Sequence, residues 1–104
     1  MRRAKVRFRA QALDDLREIF RFVLSLSQSP ETARRYVGRI RARCESIGDV
    51  PHAGAPRDDL AVGLRMVAFE RSAIILYEVE DGKVLITNIF YGRRDYAVLF
   101  RSSG

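Results

Sequence analysis

GLRMVAFERSAIILYEVEDGKVLITNIFYGRRD, residues 63–95, decides the fold of this chain. It reads as three consecutive β-strands that end in a basic Gly92-Arg93-Arg94-Asp95 element. Asp-Gly at the centre of Glu80-Asp81-Gly82-Lys83 is a strong hairpin signal, so the second and third strands form an antiparallel pair. The second strand is apolar on both faces at its centre, with Ala73, Ile75, Tyr77 and Val79 on one side and Ile74 and Leu76 on the other. Strict alternation in the third puts Val84, Ile86 and Phe90 on one side and Leu85, Ile89 and Tyr91 on the other.

The residues upstream supply one strand and two helices. Val6-Arg7-Phe8-Arg9 alternates apolar and basic residues, as a short half-buried strand does. From Gln11 the period becomes helical: Ala12, Leu16, Ile19, Val23 and Leu26 form one apolar stripe, widened by Leu13, Phe20 and Leu24. Asp14, Asp15 and Glu18 fall in the first turns, where carboxylates suit the positive end of the helix. A connection of about four to five residues around Ser27-Gln28-Ser29-Pro30 leads into a second helix, with Ser29 as N-cap and Pro30 at the first helical position. Ala33, Tyr36, Val37, Ile40, Cys44 and Ile47 line its apolar face, and Gly48 and Pro51 end it. A short link between two amphipathic helices implies an antiparallel helical hairpin. Residues 50–62 read as a loop.

The order is β-α-α-β-β-β, an α+β fold with the N-terminal strand and the helical hairpin packed on one face of a mainly antiparallel sheet. Two helices cover only one face. The surplus apolar surface of the other face must be shielded by the segment 96–100 or by another chain, which marks a protein that binds a partner.

At 104 residues the chain is expected to be a single domain over 1–104, with about 101–104 as a disordered tail. A chain of this size supports one modest core rather than a large enclosed active-site cavity. Hydrophobic residues make up 47% and charged residues 31%, as in a globular protein of the aqueous phase. The chain has no apolar run long enough to cross a bilayer and no apolar segment after the basic N-terminus of the kind a signal peptide needs, so a cytoplasmic location without membrane contact is expected. A single cysteine, Cys44, forbids an internal disulfide and suits a reducing compartment.

The net charge of +6 is uneven. Residues 1–9 carry five positive charges and no acid, residues 34–43 carry five arginines and no acid, and residues 44–62 are net −3. Such a balance favours an anionic partner, either nucleic acid or an acidic protein segment. Both remain open at this point.

Few residues have the spacing of a reactive site. His52, the only histidine, lies between prolines and is expected to be an ordinary loop residue. Cys44 sits on an apolar stripe, as a structural thiol does. Zinc spacings, a phosphate-binding P-loop and Gly-rich dinucleotide signatures are absent, so neither metal nor cofactor is expected. Arg34, Arg35, Arg39, Arg41 and Arg43 are read as the solvated face of the second helix. Gly92-Arg93-Arg94-Asp95-Tyr96 is either a compact cationic cluster, joined by Arg65 if the strands are adjacent, or solvated charge at a strand exit.

Taken together these residues resemble the RelE/ParE superfamily of toxins from type II toxin–antitoxin pairs. The resemblance covers nearly the whole chain. It rests on Ala12-x-x-Asp15-Leu16-x-x-Ile19, Pro51-x-x-Gly54, Gly63-Leu64-Arg65, the strand containing Tyr77, and Gly92-Arg93-Arg94-Asp95. The Gly-Leu-Arg and Gly-Arg-Arg-Asp elements are most similar to the ParE branch.

The resemblance implies a cognate antitoxin that wraps the toxin, and it implies one of two activities. ParE-type members bind DNA gyrase and have no catalytic role. RelE-type members cut messenger RNA in the ribosome without metal, using basic side chains and a tyrosine. Arg65, Arg93 or Arg94, and Tyr96 fall on part of the nuclease pattern. The lysines that precede its first meander strand are missing here, where Arg57 is followed by Asp58 and Asp59. Arginine stays protonated, so it does not replace lysine as a general base. The ParE-like reading is therefore preferred and no catalytic residue is favoured. A non-toxic, basic nucleic-acid-binding module is the remaining alternative. The antitoxin surface is expected on Phe20, Val23, Leu24, Tyr36, Ile40, Ile74 and Leu76, with Arg65, Arg93 and Arg94 binding its carboxylates.

Overall fold

A computed structural model describes residues 3–92. Its elements are β1 (Lys5–Phe8), α1 (Ala10–Ser27), α2 (Pro30–Ile47), β2 (Ala55–Pro56), β3 (Leu64–Phe69), β4 (Ala73–Glu80) and β5 (Lys83–Tyr91). The five strands form one sheet in the order β1-β5-β4-β3-β2. β1 runs parallel to β5 and every other neighbouring pair is antiparallel. The expected α+β architecture is therefore present, with one strand more than the sequence pattern suggests. β2 is a two-residue strand inside the segment read as loop, too short to show any alternation.

The helices start and stop for local reasons. Ser29 caps α2 by accepting a hydrogen bond from the Thr32 N–H at 3.2 Å, and Pro30 occupies the first helical position as expected. The link between the helices is only Gln28 and Ser29, shorter than the sequence suggested, because Gln28 turns the chain in the left-handed conformation with its N–H on the Leu24 carbonyl. α1 has no acidic residue in its first turn, so the carboxylates expected there begin a turn later. Gly48 ends α2 for a reason of space. A Cβ there would lie 3.1 Å from Val6 Cγ2, and the Gly48 carbonyl accepts the Ala4 N–H at 2.9 Å.

Ala12, Leu16, Ile19 and Val23 of α1 and Ala33, Tyr36, Ile40, Cys44 and Ile47 of α2 pack on Phe69, Ala73, Ile75, Tyr77, Val84, Ile86 and Ile89 of the sheet. Leu26, placed on the stripe by its spacing, is 66% exposed and lies past Leu24, the last residue of α1 that packs on the core. Cys44 is fully buried, and burial pushes its thiol up to about 12. It is an inert packing residue at neutral pH.

β5 corrects the face assignment. Tyr77 pairs with Ile86, but Leu76 pairs with Asn88, so Thr87 is an extra residue in the ladder. This bulge shifts the alternation by one. Val84, Ile86, Ile89 and Tyr91 therefore share the helix-covered face, and Leu85, Asn88 and Phe90 share the other. Asp15 supports the bulge from α1: its Oδ2 accepts the Ile89 N–H at 2.8 Å, while Gln11 donates to Oδ1 at 2.9 Å. Burial raises the Asp15 carboxyl above its ordinary value, against the lowering effect of those two hydrogen bonds.

On the face away from the helices Leu64 and Leu76 are buried and Ile74 and Phe90 half-buried. The segment 96–100 that was expected to shield this face lies outside the described residues, as does the tail 101–104.

Candidate functional site

Two constellations stand out, and they differ in kind. The first joins the loop at 51–54 to the sheet. Arg65 and Tyr77 are cross-strand partners on β3 and β4. The Tyr77 hydroxyl donates to the Pro51 carbonyl at 2.8 Å and accepts the Gly54 N–H at 3.0 Å. Arg65 Nη1 donates to the carbonyls of His52 and Gly54, at 2.9 and 2.8 Å. The approach needs glycine, since a Cβ at Gly54 would lie 2.8 Å from Tyr77 Cε1 and 2.9 Å from Cζ. Pro51, Gly54, Arg65 and Tyr77 are far apart in sequence and form one clasp.

The remaining acidic loop is also internally matched. Arg57 makes a bidentate pair with Asp59 at 2.9 and 2.8 Å, and Asp58 accepts the Gly63 N–H at 2.9 Å. The His52 side chain takes no part in the clasp; only its carbonyl does.

The second constellation is a groove of about 450 Å³ on the helical hairpin. Leu13, Leu16, Phe20 and Val37 form its floor, and Arg17, Arg21 and Arg41 stand around it. Its origin is the helical period: Leu13, Arg17 and Arg21 recur at steps of four on α1, as do Leu16 and Phe20 beside them, and Val37 and Arg41 do so on α2. Arg17 pairs with Asp14 at 2.7 Å, and Arg41 lies over the Phe8 ring at 5.1 Å. An apolar floor with a cationic rim is the complement of an amphipathic, acidic peptide helix.

The other arginines of α2 are mostly matched within the chain. Arg35 pairs with Glu31, and Arg43 donates to Ser46 Oγ. Arg39 makes a two-pronged bond to Glu70 and lies 5.4 Å over Tyr36. That bond holds the Glu70 carboxyl below its usual range.

The expected site residues are dispersed by this geometry. Phe20, Leu24 and Ile74 are half-buried and still reach the surface. Val23, Tyr36, Ile40 and Leu76 are buried in the chain itself, and the Tyr36 hydroxyl is taken up by Ser72 Oγ at 2.5 Å. Arg65 faces the loop with Tyr77. Arg93, Arg94 and Tyr96 lie outside the described residues. Arg17 and Arg21 were not singled out from the sequence, although their spacing beside Leu13 and Phe20 is a readable signal. Among the described residues no cluster of three or more His, Cys, Asp or Glu side chains is placed to hold a metal. No helix among them is long and apolar enough to cross a membrane.

The family model for the ParE toxin of the type II toxin–antitoxin system parDE matches residues 6–96. The chain belongs to the ParE toxin family. Among solved structures it is similar to a chain of the chromosomal ParDE toxin–antitoxin system from P. aeruginosa. That similarity has 23% sequence identity and a TM-score of 0.75, and it covers 86% of this chain and 97% of the other. At that identity it speaks for the fold. A comparison with curated protein sequences returned no match. For a ParE-type toxin, the match from β1 through β5 encloses both the clasp and the hairpin groove.

Proposed function

We propose that this ParE-type toxin acts in the cytoplasm by binding DNA gyrase, without catalysis of its own, and that a cognate antitoxin neutralises it. The observation that carries the reading is the different use of arginine in the two constellations. Arg65, the described residue that best fits a nuclease role, donates to two loop carbonyls. Tyr77 is buried with its hydroxyl doubly bonded. A phosphoryl-transfer site needs cations aimed at the reacting phosphate, and these side chains are aimed at their own backbone. The hairpin groove instead offers apolar area and charge to a protein segment. The antitoxin fits there as an acidic amphipathic helix, anchored by apolar side chains on Phe20 and Val37 and steered by Arg17, Arg21 and Arg41.

A supercoiling assay run beside a translation-coupled RNA cleavage assay tests the proposal. Purified toxin should abolish supercoiling by gyrase and leave translated message intact, and antitoxin should restore supercoiling. Message cleavage that is lost in Arg65→Ala would instead establish the RelE-type nuclease. Full supercoiling, intact message and normal growth on expression would leave the non-toxic nucleic-acid-binding module.

A further inference from the structure

The two lysines of this arginine-rich chain, Lys5 and Lys83, are direct neighbours in the parallel register of β1 and β5. Val6 and Phe8 turn inward to the core, so Lys5 and Arg7 project from the opposite side of β1. Lys5, Arg7 and Lys83 are all exposed. None of them takes part in an ion pair among the described residues. Arg3 binds Glu45 and Asp49 and Arg9 binds Glu78, while Glu80, the cross-strand neighbour of Lys83, and Asp81 in the adjoining turn form no ion pair with it among the described residues. Like charges placed directly opposite each other destabilise a sheet, and a bound anion removes that cost. A groove of about 350 Å³ runs along this edge, lined by Arg3, Ala4, Lys5, Val6, Arg7 and Glu45.

We propose that the β1 edge contacts the phosphate backbone of duplex DNA through Lys5, Arg7 and Lys83. Alternate residues of a strand stand about 6.6 Å apart, on the scale of the step between successive phosphates. Ala4 and Val6 are the only apolar residues of this groove, so it lacks the anchors by which the hairpin groove would hold an acidic peptide. The two grooves share no residue. The inference does not rest on the gyrase reading, because a toxin inactive in the supercoiling assay would still bind duplex through this edge.

The test is fluorescence anisotropy of a labelled duplex of arbitrary sequence, titrated with the full chain across a series of salt concentrations. Each phosphate contact contributes about 0.9 to the slope of log affinity against log salt, so Lys5→Gln/Arg7→Gln/Lys83→Gln should make the slope shallower by about 2.7. Over a four-fold rise in salt the variant then loses roughly forty-fold less affinity than the parent. Lys83→Gln alone should remove about 0.9 from the slope, which keeps the test valid if the triple variant melts early. Arg34→Gln/Arg35→Gln/Arg71→Gln, which removes equal charge elsewhere, should change the slope by less than half as much as the β1-edge variant. The proposal is overturned by any of three results: no binding at the lowest salt, an equal slope change in the control variant, or displacement of the duplex by polyglutamate at matched charge.

Discussion

Arginine serves opposite ends on the two sides of this molecule. On the loop side Arg65 is folded into the clasp, where its Nη1 satisfies two backbone carbonyls. On the hairpin Arg17, Arg21 and Arg41 stand around an apolar floor, with Arg17 paired to Asp14 at the surface and Arg41 over the Phe8 ring. Charge counting does not separate the two. What separates them is whether a backbone acceptor lies within reach: the His52 and Gly54 carbonyls both take up Arg65 Nη1. The lesson is that motif residues at the clasp hold the fold, whereas unremarkable helix residues make the candidate binding surface.

The sharpest way to break this contrast is at Gly54. Gly54→Ala should lower stability by about 3 kcal/mol, because the new Cβ meets the Tyr77 ring and disturbs the hydroxyl's bonds. Thermal melting checks it, and an unchanged melting temperature would remove the clasp from the account. Arg65→Ala should follow at about 2 kcal/mol, with antitoxin affinity of the folded fraction retained. A loss of affinity without a loss of stability would place Arg65 in the binding surface instead. Arg21→Glu tests the opposite side: antitoxin binding by calorimetry should weaken on the order of ten-fold, with a melting temperature close to the parent's.

Asp15 is a charged residue used for structure within α1, on the same hairpin that carries the groove. Asp15→Ala removes the acceptor of the Ile89 N–H and should cost about 1–3 kcal/mol. Asp15→Asn keeps an acceptor and should cost less. The pH dependence has a definite sign. Burial raises the folded-state carboxyl above 3.8, so this group stabilises the fold least when ionised. Its contribution is full below the unfolded value and falls as pH rises from there through the raised folded value. Denaturant melts should therefore find Asp15→Asn relatively more stable, compared with the parent, at neutral pH than near pH 3. The smallest effect is at Cys44, whose thiol is buried and raised to about 12. Native protein at neutral pH should resist alkylation, and denatured protein should react freely.

Much of the fold was legible because its signals are periodic or local. The helical steps of Ala12, Leu16, Ile19 and Val23, the Ser29-Pro30 start of α2 and the Asp81-Gly82 hairpin each declare themselves within a few residues. The failures were places where the chain departs from its own period. Thr87 adds one residue to β5 and moves Ile89, Phe90 and Tyr91 to the opposite faces, which no alternation rule anticipates. β2 is two residues long and has no period to read. At the hairpin between β3 and β4, Glu70 and Arg71 both adopt positive φ without a glycine to mark the turn, and Arg39 holds Glu70 there.

The helical hairpin, the antiparallel meander of β3 to β5 and the family were legible from sequence alone, because each is written in spacing along the chain. Only the tertiary structure decided that Pro51, Gly54, Arg65 and Tyr77 form one clasp. Only it brought Arg17, Arg21 and Arg41 around one groove and set Lys5 beside Lys83. The physical reason is that a hydrogen bond or a charge contact depends on distances of a few ångströms between residues tens of positions apart. Those distances exist only once the core has closed.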